Sequence, residues 1–206
     1  MKLFKYFFEF IIVIFFFVIF KIIGLKNSSN LGCLIFKKIG PILRKPKKIR
    51  KNIKIVFPDI GADKESKIIR EMWCNYGRVF SEYMHLQKFK KNKSNYIKIN
   101  FEKFDELKKR KNPILFFSGH FANFELLSME IEKYGFEVCA LYRPLNNVFL
   151  NPIMEKLRIK HICKNQIPKS IPGKGRDGTR QLVKKINEKR NIAVMVDQKV
   201  TEGIQV

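Results

Sequence analysis

Acidic residues are scarce in this chain. Its 206 residues carry 18 Asp and Glu against 42 Lys and Arg, a formal net charge of +24. The imbalance favours anionic partners: nucleic acid, an anionic membrane surface or an acidic protein. Scattered lysines also describe an ordinary solvated surface, so charge alone does not choose. Cysteine is equally sparing. Cys33, Cys74, Cys139 and Cys163 are far apart, no CxxC is present, and no His-x-x-x-His occurs. A zinc site and a disulfide framework are therefore unsupported, and free, mostly buried thiols in a reducing compartment are expected. No internal repeat is visible. Nor is there an RNA-binding aromatic signature or a helix-turn-helix pattern, so nucleic acid drops out as a partner. The chain does not lack apolar residues. They make up 46% of it, enough for one sizeable core and against disorder.

The apolar residues are concentrated first at the N-terminus. Leu3 to Leu25 carries only Lys5, Glu9 and Lys21 as charges. At ~1.5 Å per residue such a helix reaches across a bilayer core of ~30 Å. Glu9 would be costly at depth, and Phe10 to Phe20 is the uninterrupted part. Lys21-Ile22-Ile23 continues the run where a signal peptide would place small residues. The expectation is a retained anchor over 1–25, inserted or lying in the interface. A basic connecting region, 26–60, follows. Its lysines and arginines favour the cytoplasmic side and anionic headgroups. Pro46 and Pro58 suggest that 45–60 is mostly irregular.

From residue 61 onward one globular domain is expected, to 206. Residues 63–86 repeat apolar positions near a 3.6 spacing and read as a helix, with Trp73 and its aromatic neighbours as core. "NYIKINF" (95–101) alternates like a strand. Strands are then predicted at 113–118, 136–142 and 191–196, and helices at 123–135, 148–158 (around Pro152) and 176–189. This alternation implies an α/β domain with a mixed, mainly parallel sheet flanked by helices.

Three of the predicted strands end in unusual polar groups: Ser118-Gly119-His120, Tyr142-Arg143-Pro144 and Asp197-Gln198. In open α/β sheets ligands bind beyond the carboxyl ends of the strands, so these tips would share one rim. The segment "GHFANFE" (119–125) suits acid–base chemistry. On a continuous helix a five-residue offset would part His120 and Glu125 by ~140°. They meet only if His120 precedes the helix, as Gly119 permits. A carboxylate on one imidazole nitrogen fixes the tautomer and leaves the other nitrogen to take a proton. The spacing thus nominates His120 as base and Glu125 as the group that orients it. Asp197 could instead order the site from behind. Arg143 and Arg158 are either anion-binding groups or structural partners of a strand-end carboxylate.

These segments resemble the lipid A secondary acyltransferases, the bacterial lauroyl and myristoyl transferases. "GHFANFE" is similar to the family's His-x4-Glu signature. "NIKIVFPD" (52–59) and "MWCNYGRVFSEYMHL" (72–86) resemble the stretch before it, and "LYRPLNN" (141–147) its Tyr-Arg-Pro segment. Arg158 falls where the family has an arginine closing the next helix. "IPGKGRDGTRQLVKKI" (171–186) and "VMVDQKVTEGIQV" (194–206) look like its glycine-containing helix start and its Asp-Gln-Lys motif. The resemblance implies a glycerolipid-acyltransferase-like fold behind the anchor, at the bacterial inner membrane with the catalytic domain on the cytoplasmic side. It implies transfer of a fatty acyl group from acyl carrier protein to a hydroxyl of a phosphorylated lipid A precursor, with no metal and no cofactor. His120 and Glu125 would be catalytic, and Arg143 and Arg158 would bind phosphate or steady the oxyanion. Asp197, Gln198 and Asn123 would support them. The partners implied are acyl carrier protein, the lipid precursor and membrane lipids. In the family, Gly-Ile-x-Val is followed by Pro-Phe-Phe-Gly and further helices, so the end at Val206 implies the first two thirds of a longer protein. A related enzyme acting on a glycerolipid or another glycolipid is the nearest alternative. A non-catalytic basic protein docking on membranes or nucleic acid explains the charge and the anchor but not the convergent strand tips.

Overall fold

A computed structural model describes residues 2–44, 46–91, 102–110, 112–169 and 177–197. The expected strand at 95–101 and Gln198 lie outside the described residues. By its contacts the chain divides into two compact units, Met1–Phe10 with Leu86–Val206, and Ile11–His85.

The second unit is helical. It holds most of α1 (Lys2–Leu43), all of α2 (Lys47–Val56) and α3 (Ala62–Glu82), and a 3₁₀ turn at Tyr83–His85. Helix α1 is interrupted at Gly24, where the backbone leaves helical geometry (φ 81°, ψ 169°). Past that break, small residues let α1 and α3 touch backbone to backbone. A Cβ on Gly77 would stand 2.1 Å from the Gly32 carbonyl oxygen, and one on Gly32 2.3 Å from that of Gly77. Beside this crossing Cys33 and Cys74 are joined in a disulfide. This corrects the expectation of four free thiols: the pairing depends on a helix crossing that cysteine spacing does not encode. Cys139 and Cys163 are free and buried, as expected. Phe17, Phe20 and Phe36 gather around Phe80, with ring centroids 5.0, 6.4 and 5.4 Å away. Polar links close the pair. Ser29 Oγ donates to Glu82 (2.8 Å), and Arg78 donates to Ser29 (2.9 Å) and Asn30 (3.0 Å).

The segment expected to be irregular contains α2. Pro46 sits at its N-cap and Pro58 two residues beyond its end. The prolines bracket the helix, at positions where a missing N–H breaks no intrahelical bond.

The first unit is α/β. Helices α4 (Leu86–Lys91) and α5 (Glu102–Lys108) lead to β1 (Leu115–Ser118), α6 (Glu125–Lys133), β2 (Val138–Tyr142), α7 (Leu150–His161), β3 (Asn165–Pro168), α8 (Asp177–Asn187) and β4 (Asn191–Met195). The strands form a sheet of order β1-β4-β2-β3, and all three pairings are parallel. Successive residues alternate between its faces. Val138 and Ala193 join Ile131, Phe136 and Cys163 on one face, packed with Phe104, Phe116 and Leu127 from the region of α5, β1 and α6. Cys139 and Ile192 join Ile167 on the other, against Leu182 of α8. Burial on both faces explains why β2 and β4 read as short apolar runs, whereas β1 leaves Leu115 and Phe117 exposed on one face.

The N-terminal residues of α1 pack within this unit. Phe7 and Phe10 lie against Phe149, with centroids 5.8 and 5.9 Å away. Asn147 Nδ2 donates to the Tyr6 carbonyl (2.9 Å) and to Glu9 (3.2 Å). Glu9, the acidic interruption of the apolar run, thus has a polar partner of its own. Among the described residues α1 is the helix long and apolar enough to cross a membrane. Phe4, Phe8, Ile12, Phe15, Val18 and Ile22 form an exposed stripe on it.

Candidate active site

The carboxyl ends of β1, β4 and β2 border a cavity of about 300 Å³. Its wall includes His120 and Phe124 beyond β1, Glu125 and Ser128 of α6, and Tyr142 and Arg143 at the end of β2. Arg158 of α7, Gln166 of β3, Lys169 just beyond β3, and Met195 of β4 are also on it. This is the rim where open α/β sheets bind their ligands.

His120 is placed by strand pairing. β4 lies beside β1, and the ladder runs on past the strands: the Val196 N–H donates to the Ser118 carbonyl (3.0 Å). The next residue on each side is therefore Asp197 facing Gly119-His120. One carboxylate oxygen of Asp197 accepts the backbone N–H of His120 (2.8 Å), and the other lies 2.7 Å from its ring Nδ1. A carboxylate can only accept, so Nδ1 carries the proton and the lone pair of the neutral ring resides on Nε2. These two bonds, the backbone one foremost, hold the Asp197 carboxyl below its ordinary value. Phe124 closes the other side of the ring, edge to face at 4.5 Å. Gly119 is closely approached here: a Cβ would stand 2.7 Å from the exposed Phe121 ring, which would have to swing away, and 3.3 Å from Asp197 Oδ2. The turn into α6 passes through Ala122, whose φ of 43° lies in the left-handed region. That conformation costs a non-glycine residue of order 1 kcal/mol.

Glu125 opens α6 and pairs with Arg158 in the last turn of α7. Arg158 Nε and Nη2 both donate to Glu125 Oε1, at 3.1 and 2.5 Å. Each charge also suits the helix end on which it sits. Both side chains are largely withdrawn from water, at 9% and 15% exposure. The Arg158 guanidinium stands 5.4 Å from the Tyr142 ring centre. Of the two acids that the sequence reading offered as organisers of His120, one is seen on Nδ1. That acid is Asp197, supplied by the neighbouring strand, while Glu125 shares the cavity wall and binds an arginine. Of the two arginines, Arg158 is an ion-pair partner and Arg143 is exposed on the wall. Asn123 lies in the turn, its carbonyl accepting the Leu126 N–H (3.1 Å), and is not among the described wall residues.

The profile of the family described as bacterial lipid A biosynthesis acyltransferase matches residues 1–206. The chain belongs to that family. No curated protein and no solved structure matches it. The protein is therefore an acyltransferase of the lipid A biosynthesis type, and its family implies a lipid A precursor as substrate.

In this acyltransferase the wall contains one cationic group that the sequence did not single out, Lys169. Lys169 joins it because its backbone N–H donates to the Tyr142 carbonyl (2.7 Å) at the end of the β2–β3 pairing. Its signal was hidden because β3 itself, "NQIP", has no apolar run. Burial, helped by a hydrogen bond to Glu155, pushes the Tyr142 phenol up to about 12, so Tyr142 stays protonated at neutral pH.

Proposed function

We propose that the protein transfers a fatty acyl group from acyl carrier protein to a hydroxyl of a lipid A precursor, with His120 as general base. The observation that carries this reading is the Asp197–His120 pair at the mouth of a cavity on the carboxyl rim of the sheet. Nε2 takes the proton of the acceptor hydroxyl as its oxygen attacks the thioester carbonyl. The tetrahedral oxyanion collapses, the carbon–sulfur bond breaks, and the imidazolium returns the proton to the carrier thiolate. The products are an ester and a free thiol. Asp197 is a positioning residue that keeps the proton on Nδ1. Glu125 and Arg158 fix the wall against which the acceptor lies. Arg143 and Lys169, both exposed on the wall, supply charge for the precursor phosphates or the developing oxyanion. The thioester is already activated, so proton movement and positioning are all that the side chains need to provide.

The exposed apolar stripe of α1 supports retention at the inner membrane, where the lipid acceptor resides. The excess of lysine and arginine supports a cytoplasmic catalytic unit that meets an acidic carrier. The test is mass spectrometry of lipid A from cells whose own gene is replaced by wild type or His120→Ala. The variant is expected to leave a precursor lacking one acyl chain, with a ~10²- to 10⁴-fold loss of turnover in purified enzyme. An unchanged lipid A profile in cells that contain folded variant overturns the reading.

A further inference from the structure

Helix α2 has two faces and an uncovered end. Ile49 and Ile53, one turn apart, are half-buried, and Arg50 reaches Glu65 of α3 (3.4 Å). Lys47, Lys48, Lys51 and Lys54 are all exposed. The stretch from 37 to 54 contains nine lysines and arginines and no acid. At the end of α2 the chain presents Ile55, Val56 and Phe57 in succession, exposed by 71, 67 and 53%. Val56 and Phe57 border an open hollow of about 740 Å³ whose wall also includes Ile60, Lys64, Lys67 and Ile68. Asp59 lies on the same wall and Asp63 is exposed beside it, so acids are present but outnumbered.

We propose that α2 and the hollow at its end form a docking surface for an anionic phospholipid bilayer, a second contact separate from the apolar stripe of α1. The cationic face would lie against headgroup phosphates, and Ile55, Val56 and Phe57 would enter the acyl boundary. Amphipathic helices bind interfaces by this combination of apolar area and charge. A nucleic acid would satisfy the lysines but leave three adjacent apolar side chains in water, so the observations favour lipid. The inference stands apart from the acyl-transfer reading, since none of these residues belongs to the cavity around His120.

The test uses the full chain in nanodiscs of phosphatidylcholine with or without phosphatidylglycerol, so that α1 is inserted in every sample. Phe57→Cys accepts a polarity-sensitive dye selectively, because Cys139 and Cys163 are buried and Cys33 is bonded to Cys74. In anionic discs the emission is expected to shift to the blue and to be quenched by spin-labelled lipid. The shift should be lost at ~1 M salt, where the Debye length is ~3 Å. It should also be lost when Lys47, Lys48, Lys51 and Lys54 are changed to Glu, and reduced when they are changed to Gln. Circular dichroism checks that both variants fold. Water-like emission in anionic discs overturns the proposal. So does an equal shift in neutral discs and in the charge-reversed variant. A blue shift in detergent, without bilayer lipid, on adding acyl carrier protein would mark a protein-docking surface and overturn it as well.

Discussion

At the scale of single residues, two carboxylates share the rim: Glu125, five positions after His120 in sequence, and Asp197, 77 residues away. Asp197 holds the ring of His120, and Glu125 holds Arg158. The consequences differ. The Glu125–Arg158 pair is largely desolvated, and breaking such a buried pair by removing one partner costs up to about 3–5 kcal/mol. Arg158→Ala should therefore lower the melting temperature as well as activity. Adding Glu125→Ala should restore part of the stability but not the activity. Thermal unfolding of the two single variants and the double variant reads that cycle, and strict additivity would show that the pair is not coupled. Asp197 gives a pH signature. Its folded value is depressed, so its contribution to stability is fully present above the ordinary carboxylate range and is lost as pH falls through the depressed value. The stability gap between wild type and Asp197→Asn should be flat near neutrality and close on acidification, as followed by melting temperature against pH.

At the scale of elements, what could be read from the sequence follows from what each segment buries. β2 and β4 contribute to the core on both faces and β1 packs Phe116 on one, and the three appear as apolar runs at 113–118, 136–142 and 191–196. β3 has only Ile167 fully buried among "NQIP" and leaves no such trace. α2 was hidden by the prolines at its two ends, which mark a helix's limits as readily as a loop. The rim residues were legible because each directly follows an apolar run. The partner of His120 was not, because that requires the strand order, and β4 neighbours β1 across 77 residues of chain. The α1–α3 crossing was equally silent: Gly32 and Gly77 look like any helical glycines until the helices are placed. Its tightness makes a direct prediction. Gly77→Ala puts a methyl 2.1 Å from a backbone oxygen that no rotamer can move. The helices must separate, at about 1–3 kcal/mol or more. Urea titration followed by circular dichroism should show a lower midpoint, whereas Gly61→Ala, with open space around its Cβ, should be nearly neutral.

At the scale of the whole molecule, charge decides how partners arrive. A net charge of +24 on 206 residues creates a field that steers acidic molecules from a distance. At ~0.15 M salt the Debye length is ~8 Å, so most of that steering is already screened and the rest depends steeply on ionic strength. Affinity for acyl carrier protein should therefore fall sharply as salt rises, as measured by fluorescence anisotropy of labelled carrier. Salt-independent binding would assign the excess charge to another partner, such as the bilayer.

The position of β4 in the sheet also sets when the rim around His120 is assembled. It is the last of the four strands to leave the ribosome, yet it lies between β1 and β2. Until it emerges, β1 lacks a strand neighbour among the described residues, and β2 has β3. The nascent sheet is then two separate pieces with apolar edges, the kind of intermediate that chaperones hold. Inserting β4 joins the pieces and, two residues later, delivers Asp197 to His120. Joining of the described strands and placement of the His120 ring are thus one event, and a chain that has not yet released β4 holds His120 without its Asp197 partner.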